Sequence, residues 1–352
     1  MTDNLTPWQA GRSGGRAGLV PPGRDRHRGW TVSAVAAGGL ARVAGRALAG
    51  TVGFAGDLVS PMLGASAALG VPLCERPPRV RVVRCGLGVL ESVIVDPRGR
   101  LFFTSQIWDG LLGAVLRMDH PDAEPVKLTG GITSPGGLAF DDRGMLIVGF
   151  GDGPPQGLIG NVAGLAGLLL VDPDSGKRET WITGLQMANG VARAADGTVF
   201  ASNDFGTHID RVDPHGNVQR RWARVPSANG LAIDPGGRYL YAAQTFAPAA
   251  IKRVEIANPG NVTTHARPGP LARAAALDGL AIDPTGRCLY AAANGAGQIW
   301  RVEPDGTIEA LARGLKFPSA VAVGHGPDGF REGNLYAVTF HGDIVELAGG
   351  TR

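Results

Sequence analysis

Six short turns of one kind recur along the chain, and their spacing limits the fold more than any other feature. They are Asp96-Pro97-Arg98-Gly99, Asp141-Asp142-Arg143-Gly144, Ala194-Ala195-Asp196-Gly197, Asp234-Pro235-Gly236-Gly237, Asp283-Pro284-Thr285-Gly286 and the less regular Gly326-Pro327-Asp328-Gly329. Their last glycines lie 45, 53, 40, 49 and 43 residues apart. Such steps fit a four-stranded propeller blade and are too long for a leucine-rich or ankyrin unit. Of 352 residues 55 are Gly and 25 Pro, roughly twice the usual share, as many tight turns between short strands require.

Each turn is followed by a strand (LFFTSQ, MLIVGF, TVFASN, YLYAAQ, CLYAAA, NLYAVT). A further apolar run then ends near an acidic or polar turn (AVLRMD, GLLLVD, HIDRVD, AIKRVE, QIWRVE, DIVELA). Outer strands such as EPVKLTGG, RETWITGL and TIEALARGL lead into the next unit, but the sixth unit reaches Arg352 one strand short. Residues 79–88, RVRVVRCGLG, carry the missing pattern: VRCGLGVLES parallels LARGLKFPSA. The expected fold is all-β, a six-bladed propeller over residues 79–352 closed by its N-terminal strand, which removes two exposed sheet edges.

Eight residues before the turn glycines of the first five blades stand Glu91, Gly136, Asn189, Asn229 and Asp278. This position lies near the start of the innermost strand and faces the channel. Strand propensity favours Val or Ile there, yet four of the five residues are carboxylates or carboxamides, and a ring makes them converge. Two carboxylates and two amide oxygens suit Ca²⁺, Mg²⁺ or Mn²⁺ better than zinc or copper. Left without a cation, the carboxylates would cost repulsion and desolvation. Asn189, Asn229 and Asp278 are each followed by Gly, so any one alone reads as a turn residue; the four in register read as a metal site. The expected cofactor is one divalent cation, Ca²⁺ first, with Mg²⁺, Mn²⁺ or Zn²⁺ as alternatives.

From about residue 79 to 350 the chain resembles the six-bladed calcium-dependent propellers of the gluconolactonase and regucalcin (senescence marker protein) family, and more distantly diisopropyl fluorophosphatase. The resemblance rests on Glu91 in GVLESVIVD, Asn189 in QMANGVA, Asn229 in PSANGLAID and Asp278 in LDGLAID. It implies that an early Glu, two Asn and a later Asp hold a divalent cation at the centre of the channel. Two positions depart from the family pattern. Glu91-Ser92-Val93 stands where Glu-Gly or Glu-Ser-Pro is common, and Met187 stands where the sugar-lactone enzymes often carry an Arg. The second departure leans the pocket away from an aldonolactone and towards something less polar.

The second-to-third strand loops should open on the face that carries these residues. They contain Gln106, Trp108, Asp109, Asp152, Asn203, Asp204, Gln244, Thr245, Asn294 and His341, which read mostly as ordinary polar loop residues. Asn189, Met187, Trp108, Asn203 and His341 are the candidates for substrate contact, and His341, in TFHGD, is the histidine for proton transfer. His27, His120, His208, His215, His265 and His325 show no ligand spacing. There is no GKS or GKT, no HExxH and no CxxC. Gly149, Gly151 and Gly153 read as a blade loop, not a dinucleotide fingerprint.

Residues 1–78 form a leader outside the repeats. Residues 1–80 hold nine Arg, no Lys and four acids, so the basicity belongs to the leader and the remainder offers no field for nucleic acid. Residues 1–30, rich in Gly, Arg and Pro, read as disordered. Residues 31–73, with Arg42 and Arg46 one helical turn apart, read as an amphipathic helix lying weakly on a membrane surface or on the main domain. Arg42, Arg46, Asp57 and Pro61 interrupt every window long enough to span a bilayer. Three cysteines without a pairing pattern fit a reducing compartment, so the expected location is cytoplasmic, with membrane association or export through the leader as the alternative.

The expected function is metal-dependent hydrolysis of a lactone or related ester. The cation polarises the carbonyl, Asp278 takes a proton from the attacking water, Glu91 and Asn229 hold the ion, and Asn189 serves ion and substrate. The rivals are a phosphotriester hydrolase, a non-enzymatic binding propeller with a structural ion, and a strictosidine-synthase-like condensing enzyme that relies on a channel carboxylate.

Overall fold

A computed structural model of the chain describes residues 65, 67, 68 and 70–351. The expectations for residues 1–64 lie outside the described residues. Strand β1 (Arg79–Arg84) is followed by six repeats of an antiparallel unit. Blade one holds β2 (Leu90–Val95), β3 (Leu101–Asp109), β4 (Leu112–Met118) and β5 (Val126–Ile132). Blade two holds β6 (Leu138–Phe140), β7 (Leu146–Phe150), β8 (Ala166–Val171) and β9 (Arg178–Leu185). Blade three holds β10 (Val191–Arg193), β11 (Val199–Ala201), β12 (Ile209–Val212) and β13 (Val218–Ala223). Blade four holds β14 (Ala228–Ile233), β15 (Tyr239–Gln244), β16 (Ile251–Glu255) and β17 (Asn258–Ala266). Blade five holds β18 (Leu277–Ile282), β19 (Leu289–Ala293), β20 (Gln298–Val302) and β21 (Ile308–Ala312). Blade six holds β22 (Pro318–Val323), β23 (Leu335–Thr339) and β24 (Ile344–Ala348).

The ring closes as the repeat pattern requires. β1 pairs antiparallel with β24, from Arg79 opposite Ala348 to Arg84 opposite Ile344, and becomes the fourth strand of blade six. The recurring turns join the first and second strands. At Asp96 the side chain accepts from the backbone N–H of Arg98 and Arg100 at 3.0 and 2.8 Å, while Gly99 takes φ of +75°. An Asp to gather the turn amides and a Gly to supply the left-handed residue explain the motif.

The core is not central. Buried apolar residues form six clusters, one at each junction between neighbouring blades: Phe102, Val115 and Ile132 meet Leu138, Leu146 and Val148, for instance, and Leu90, Leu101 and Phe103 meet Phe330, Tyr336 and Val338. Each sheet is therefore apolar on both faces, which is why the strands read as continuous apolar runs and not as alternating ones.

Two features depart from a bare repeat. Helix α1 (Pro154–Ala163) is inserted between β7 and β8 where the sequence reads as a blade loop. It opens with a Pro at its first turn and stops at Gly164 in the left-handed region. Its low intrinsic propensity, with Gly157 and Gly160 inside it, hid it from periodicity. Both glycines are buried, and a Cβ at Gly160 would lie 1.7 Å from the Gln186 carbonyl oxygen, so contact with the blade decides the helix. In addition, the described end of the leader packs on the propeller. Ala67 and Val71 enter the cluster between blades four and five, and Cys74 enters the one between five and six. Leu73 bridges Ala310 in parallel, with Cys74 N–H donating to Ala310 O at 3.0 Å and Ala310 N–H to Pro72 O at 2.8 Å. The outer edge of β21 is thereby covered, and the packed unit begins before Arg79.

Candidate functional site

Antiparallel strands alternate direction, so every first strand starts at the same end of the channel, where the second-to-third and fourth-to-first connections also lie. Glu91 in β2, Asn229 in β14 and Asp278 in β18 each sit at a break in register with the next strand: between Leu90 and Val93, Ala228 and Leu231, and Leu277 and Leu280. A bulge at the start of a strand turns a side chain off the alternating pattern, which brings these residues and Asn189 to the wall of one cavity of about 70 Å³. All four are buried.

The glycines that follow have a different role from the one their neighbours suggested. Gly190, Gly230 and Gly279 are not in the left-handed region. A Cβ at Gly190 would meet Asn229 O at 2.3 Å, and one at Gly230 would meet Leu280 N at 2.3 Å. They let the innermost strands of adjacent blades touch backbone to backbone, so Asn-Gly and Asp-Gly here are not turn pairs. The fifth residue of the register, Gly136, obeys the same rule, since its Cβ would lie 2.2 Å from Ala188 O and 2.9 Å from Cβ of Asp152. In blade six the equivalent residue is Ser319, whose hydroxyl donates to Leu90 O at 2.7 Å.

Two residues further along each first strand stand Val93, Leu138, Val191, Leu231, Leu280 and Val321, all lining the same cavity. The period of two puts them on the channel side one step deeper. One aliphatic residue per blade thus lines the cavity one step below its polar level.

Above these residues the structure gathers more carboxylates than the register of first strands contains. Asp152, at the start of the β7–β8 connection, and Asp204, after β11, are buried with Glu91 and Asp278. Glu91 stands beside Asp152 and Gln106. Gln106 Nε2 donates to Asp152 Oδ2 at 2.9 Å, and Asn189 also contacts the Asp152 carboxylate. Asn294 Nδ2 donates to Asp278 Oδ2 at 3.0 Å, with Asn229 beside it. Burial, with repulsion from Asp204 added, pushes the Glu91 carboxyl up to about 8. Burial lifts Asp204 to about 7 against the pull of backbone N–H groups. Asp152 and Asp278 are also raised, first by burial and then by Glu91 and Asp204. One oxygen of Asp152 and one of Asp204 have no hydrogen-bond partner although buried. Such an arrangement favours a positive charge among these groups. Among the described residues no three His, Cys, Asp or Glu side chains form a metal-holding group by themselves.

The substrate candidates are dispersed. Met187 is buried beneath α1, where a Cβ on Gly157 would meet its sulfur at 2.7 Å. Asn203 is fully committed to structure: its Nδ2 donates to Gly157 O at 3.1 Å and its Oδ1 accepts from Phe205 N–H at 3.0 Å. Trp108 packs against the cluster between blades one and six, and His341 is exposed in the β23–β24 turn. Only Asn189 of this group lines the cavity. Asp152 and Asp204 passed for loop residues because the count along first strands cannot reach second-to-third connections; their glycine and Asn neighbours in FGDGPP and SNDFG were the available signal.

Residues 201–331 match the family model of the SMP-30/gluconolactonase/LRE-like region. That stretch includes Asn229 and Asp278, whereas Glu91 and Asn189 precede it. Over those residues the resemblance to the gluconolactonase and regucalcin family holds. No curated protein matches the chain in sequence. Among solved structures, a gluconolactonase of Xanthomonas campestris is similar at 17% identity and TM-score 0.59, over 79% of this chain and 97% of that one. The calcium-binding protein regucalcin of Agrobacterium tumefaciens is similar at 18% identity and TM-score 0.57, over 77% of this chain and 94% of that one. The PQQ-bound aldose sugar dehydrogenase of Streptomyces coelicolor, at 18% identity and TM-score 0.54, covers 77% and 99%. These likenesses carry the six-bladed fold, which serves more than one chemistry.

Proposed function

We propose that this chain, whose blades three to six carry the gluconolactonase-like region, hydrolyses a lactone or related ester in its channel, with a divalent cation held by Glu91, Asn189, Asn229 and Asp278. The observation that carries the reading is the gathering of these four oxygen-bearing side chains, from four blades, in one cavity above a level of aliphatic residues. The donor set fits a hard cation: mixed carboxylate and carboxamide oxygens, buried carboxylates that repel one another, and orphaned oxygens on Asp152 and Asp204. Ca²⁺ is the first choice, and when bound it supplies polarisation of the scissile carbonyl.

The chain's own residues do the rest. Asn294 and Asn229 hold the Asp278 carboxylate in place, and Asp278 accepts the proton of the attacking water. Gln106 and Asp152 steady Glu91. Val93, Leu138 and their four counterparts line the cavity below them. A cavity of about 70 Å³ has room for roughly five waters, enough for a small reacting group, with the body of a larger substrate lying among the loops above it. Met187 stands two residues before Asn189, where the sugar-lactone enzymes often carry an Arg, which favours a less polar substrate than an aldonolactone.

The test is turnover of lactones, aryl esters and phosphotriesters by the purified protein, with and without chelator. Asp278→Asn should lower turnover by at least about a hundredfold with the fold intact. Glu91→Gln should chiefly weaken cation affinity, so added Ca²⁺ or Mn²⁺ recovers part of its activity. Hydrolysis that survives verified metal removal, or full activity in Asp278→Asn, would sink the proposal.

A further inference from the structure

Most large apolar side chains left in solvent by the described residues sit at the end of the propeller that bears the site. Leu111 tips the β3–β4 turn, Leu158, Ile159 and Val162 project from α1, and Phe246 tips the β15–β16 connection. Val162 is 86% exposed, Leu111 72%, Phe246 66% and Leu158 61%. On an ordinary surface helix the outward residues are polar and the inward ones apolar. In α1 the inward positions are Gly157 and Gly160, pressed on Met187, Phe205 and Gln186, and the outward ones are aliphatic. Phe246 lies 5.1 Å from Phe205, ring centre to ring centre, and Phe205 abuts α1 at Gly157. The apolar surface therefore runs from blade two across to blade four.

Charge is divided along the same axis. The fourth-to-first connections at this end expose Arg224, Arg267, Arg273 and Lys316, and Arg220 lies against the end of α1 at Gly164. The acids at this end are the buried Glu91, Asp152, Asp204 and Asp278, the half-buried Asp343 and Asp109 in the turn of Leu111, which pairs with Lys127 at 2.9 Å. At the opposite end the chain turns on carboxylates such as Asp96, Asp141, Asp172, Asp213 and Asp283, because those side chains gather the turn amides. Exposed aliphatic and aromatic groups accompanied by bases on one face, with acids paired to arginines such as Arg98, Arg143 and Arg238 on the other, complement an anionic lipid surface. No described helix is long and apolar enough to cross a membrane, so the contact is peripheral.

We infer that the site-bearing end docks on anionic membranes, α1 and Phe246 entering the headgroup region while Arg224, Arg267, Arg273 and Lys316 face lipid phosphates. The mouth of the channel then opens towards the bilayer. This inference stands apart from the hydrolase reading, since it needs neither the cation nor turnover.

The experiment is co-sedimentation of the full chain with phosphatidylglycerol or phosphatidylcholine vesicles over a range of salt. The expected result is binding to the anionic vesicles that weakens with salt. Leu158→Gln, Ile159→Gln and Val162→Gln together, which keep helix propensity, should reduce that affinity by at least about tenfold. Phe246→Gln, outside the helix, should reduce it by about threefold and serves if the triple variant fails to fold. Because every variant keeps the leader, the differences isolate this face. Binding by both variants equal to that of the native chain would overturn the inference. So would a concentration-dependent dimer, abolished by the same substitutions, in a protein that binds no vesicles.

Discussion

Asp152 and Asp204 set the chemistry of the centre as much as the four residues found by register. Each brings a buried carboxylate to a site that already holds Glu91 and Asp278, and each leaves one oxygen without a partner. Repulsion of this kind costs stability unless a cation or a proton offsets it. Asp152→Asn removes one charge while keeping an oxygen and adding a donor. Its thermal melt without cation at pH 8 should lie above that of the native chain, and calorimetric Ca²⁺ titration should show weaker binding. A lower melt would mean that the Gln106–Asp152 bridge outweighs the repulsion. By contrast Gly136, the odd member of the register, is explained by space, for Asp152 and the Ala188 carbonyl occupy the volume a side chain would need.

At the scale of elements, β1 and the segment before it have separable roles. β1 supplies the fourth strand of blade six, so a chain starting at Val89 exposes the edge of β24 and is expected to be insoluble or much less stable. A chain starting at Pro77 keeps β1 but loses Val71 and Cys74 from two junction clusters and uncovers β21. It should fold, with a stability loss of about 2–4 kcal/mol and a Tm about 5–10 °C below that of a chain starting at Ala65. Melting the three proteins side by side checks both statements. Equal melts for the first two would dismiss closure by β1, and equal melts for the last two would show that residues 67–74 only rest on the surface.

For the molecule as a whole, the buried carboxyls govern how stability depends on pH. Glu91 and Asp204 hold protons up to about 8 and 7 in the fold, against 4.5 and 3.8 when exposed. Between those values the native state binds more protons than the unfolded chain, so stability falls as pH rises. That loss is absent below about pH 4, begins at the unfolded values and is complete above about pH 8. The surface aspartates of the turns, such as Asp172, Asp213 and Asp305, are lowered by turn amides and neighbouring side chains, and they withdraw stability only as pH falls below about 4. Cation-free protein should therefore melt highest near pH 4–5 and progressively lower towards pH 8. Millimolar Ca²⁺ should raise the melt more at pH 8 than at pH 5, because it must displace protons at the lower pH. A flat profile in chelator would show that the four carboxyls do not share one buried site.

The blade count, the strand order, the closing strand and the four channel positions were all legible in the residues. A turn needs Asp and Gly at fixed places, and a repeated turn fixes the phase of every strand around it, so local chemistry is enough to count back to Glu91, Asn189, Asn229 and Asp278. Helix α1 was not legible, because its glycines earn their place only against Gln186 and Met187 of the β9–β10 connection. Nor could the Asn-Gly and Asp-Gly pairs be told from turns until the close approach of adjacent strands was seen. The inward placing of Asp152 and Asp204, the commitment of Asn203 to α1 and the docking of residues 67–74 on β21 belong to tertiary structure alone. They depend on which backbones meet across a junction of blades, and residues far apart in the chain do not announce their meeting in local spacing.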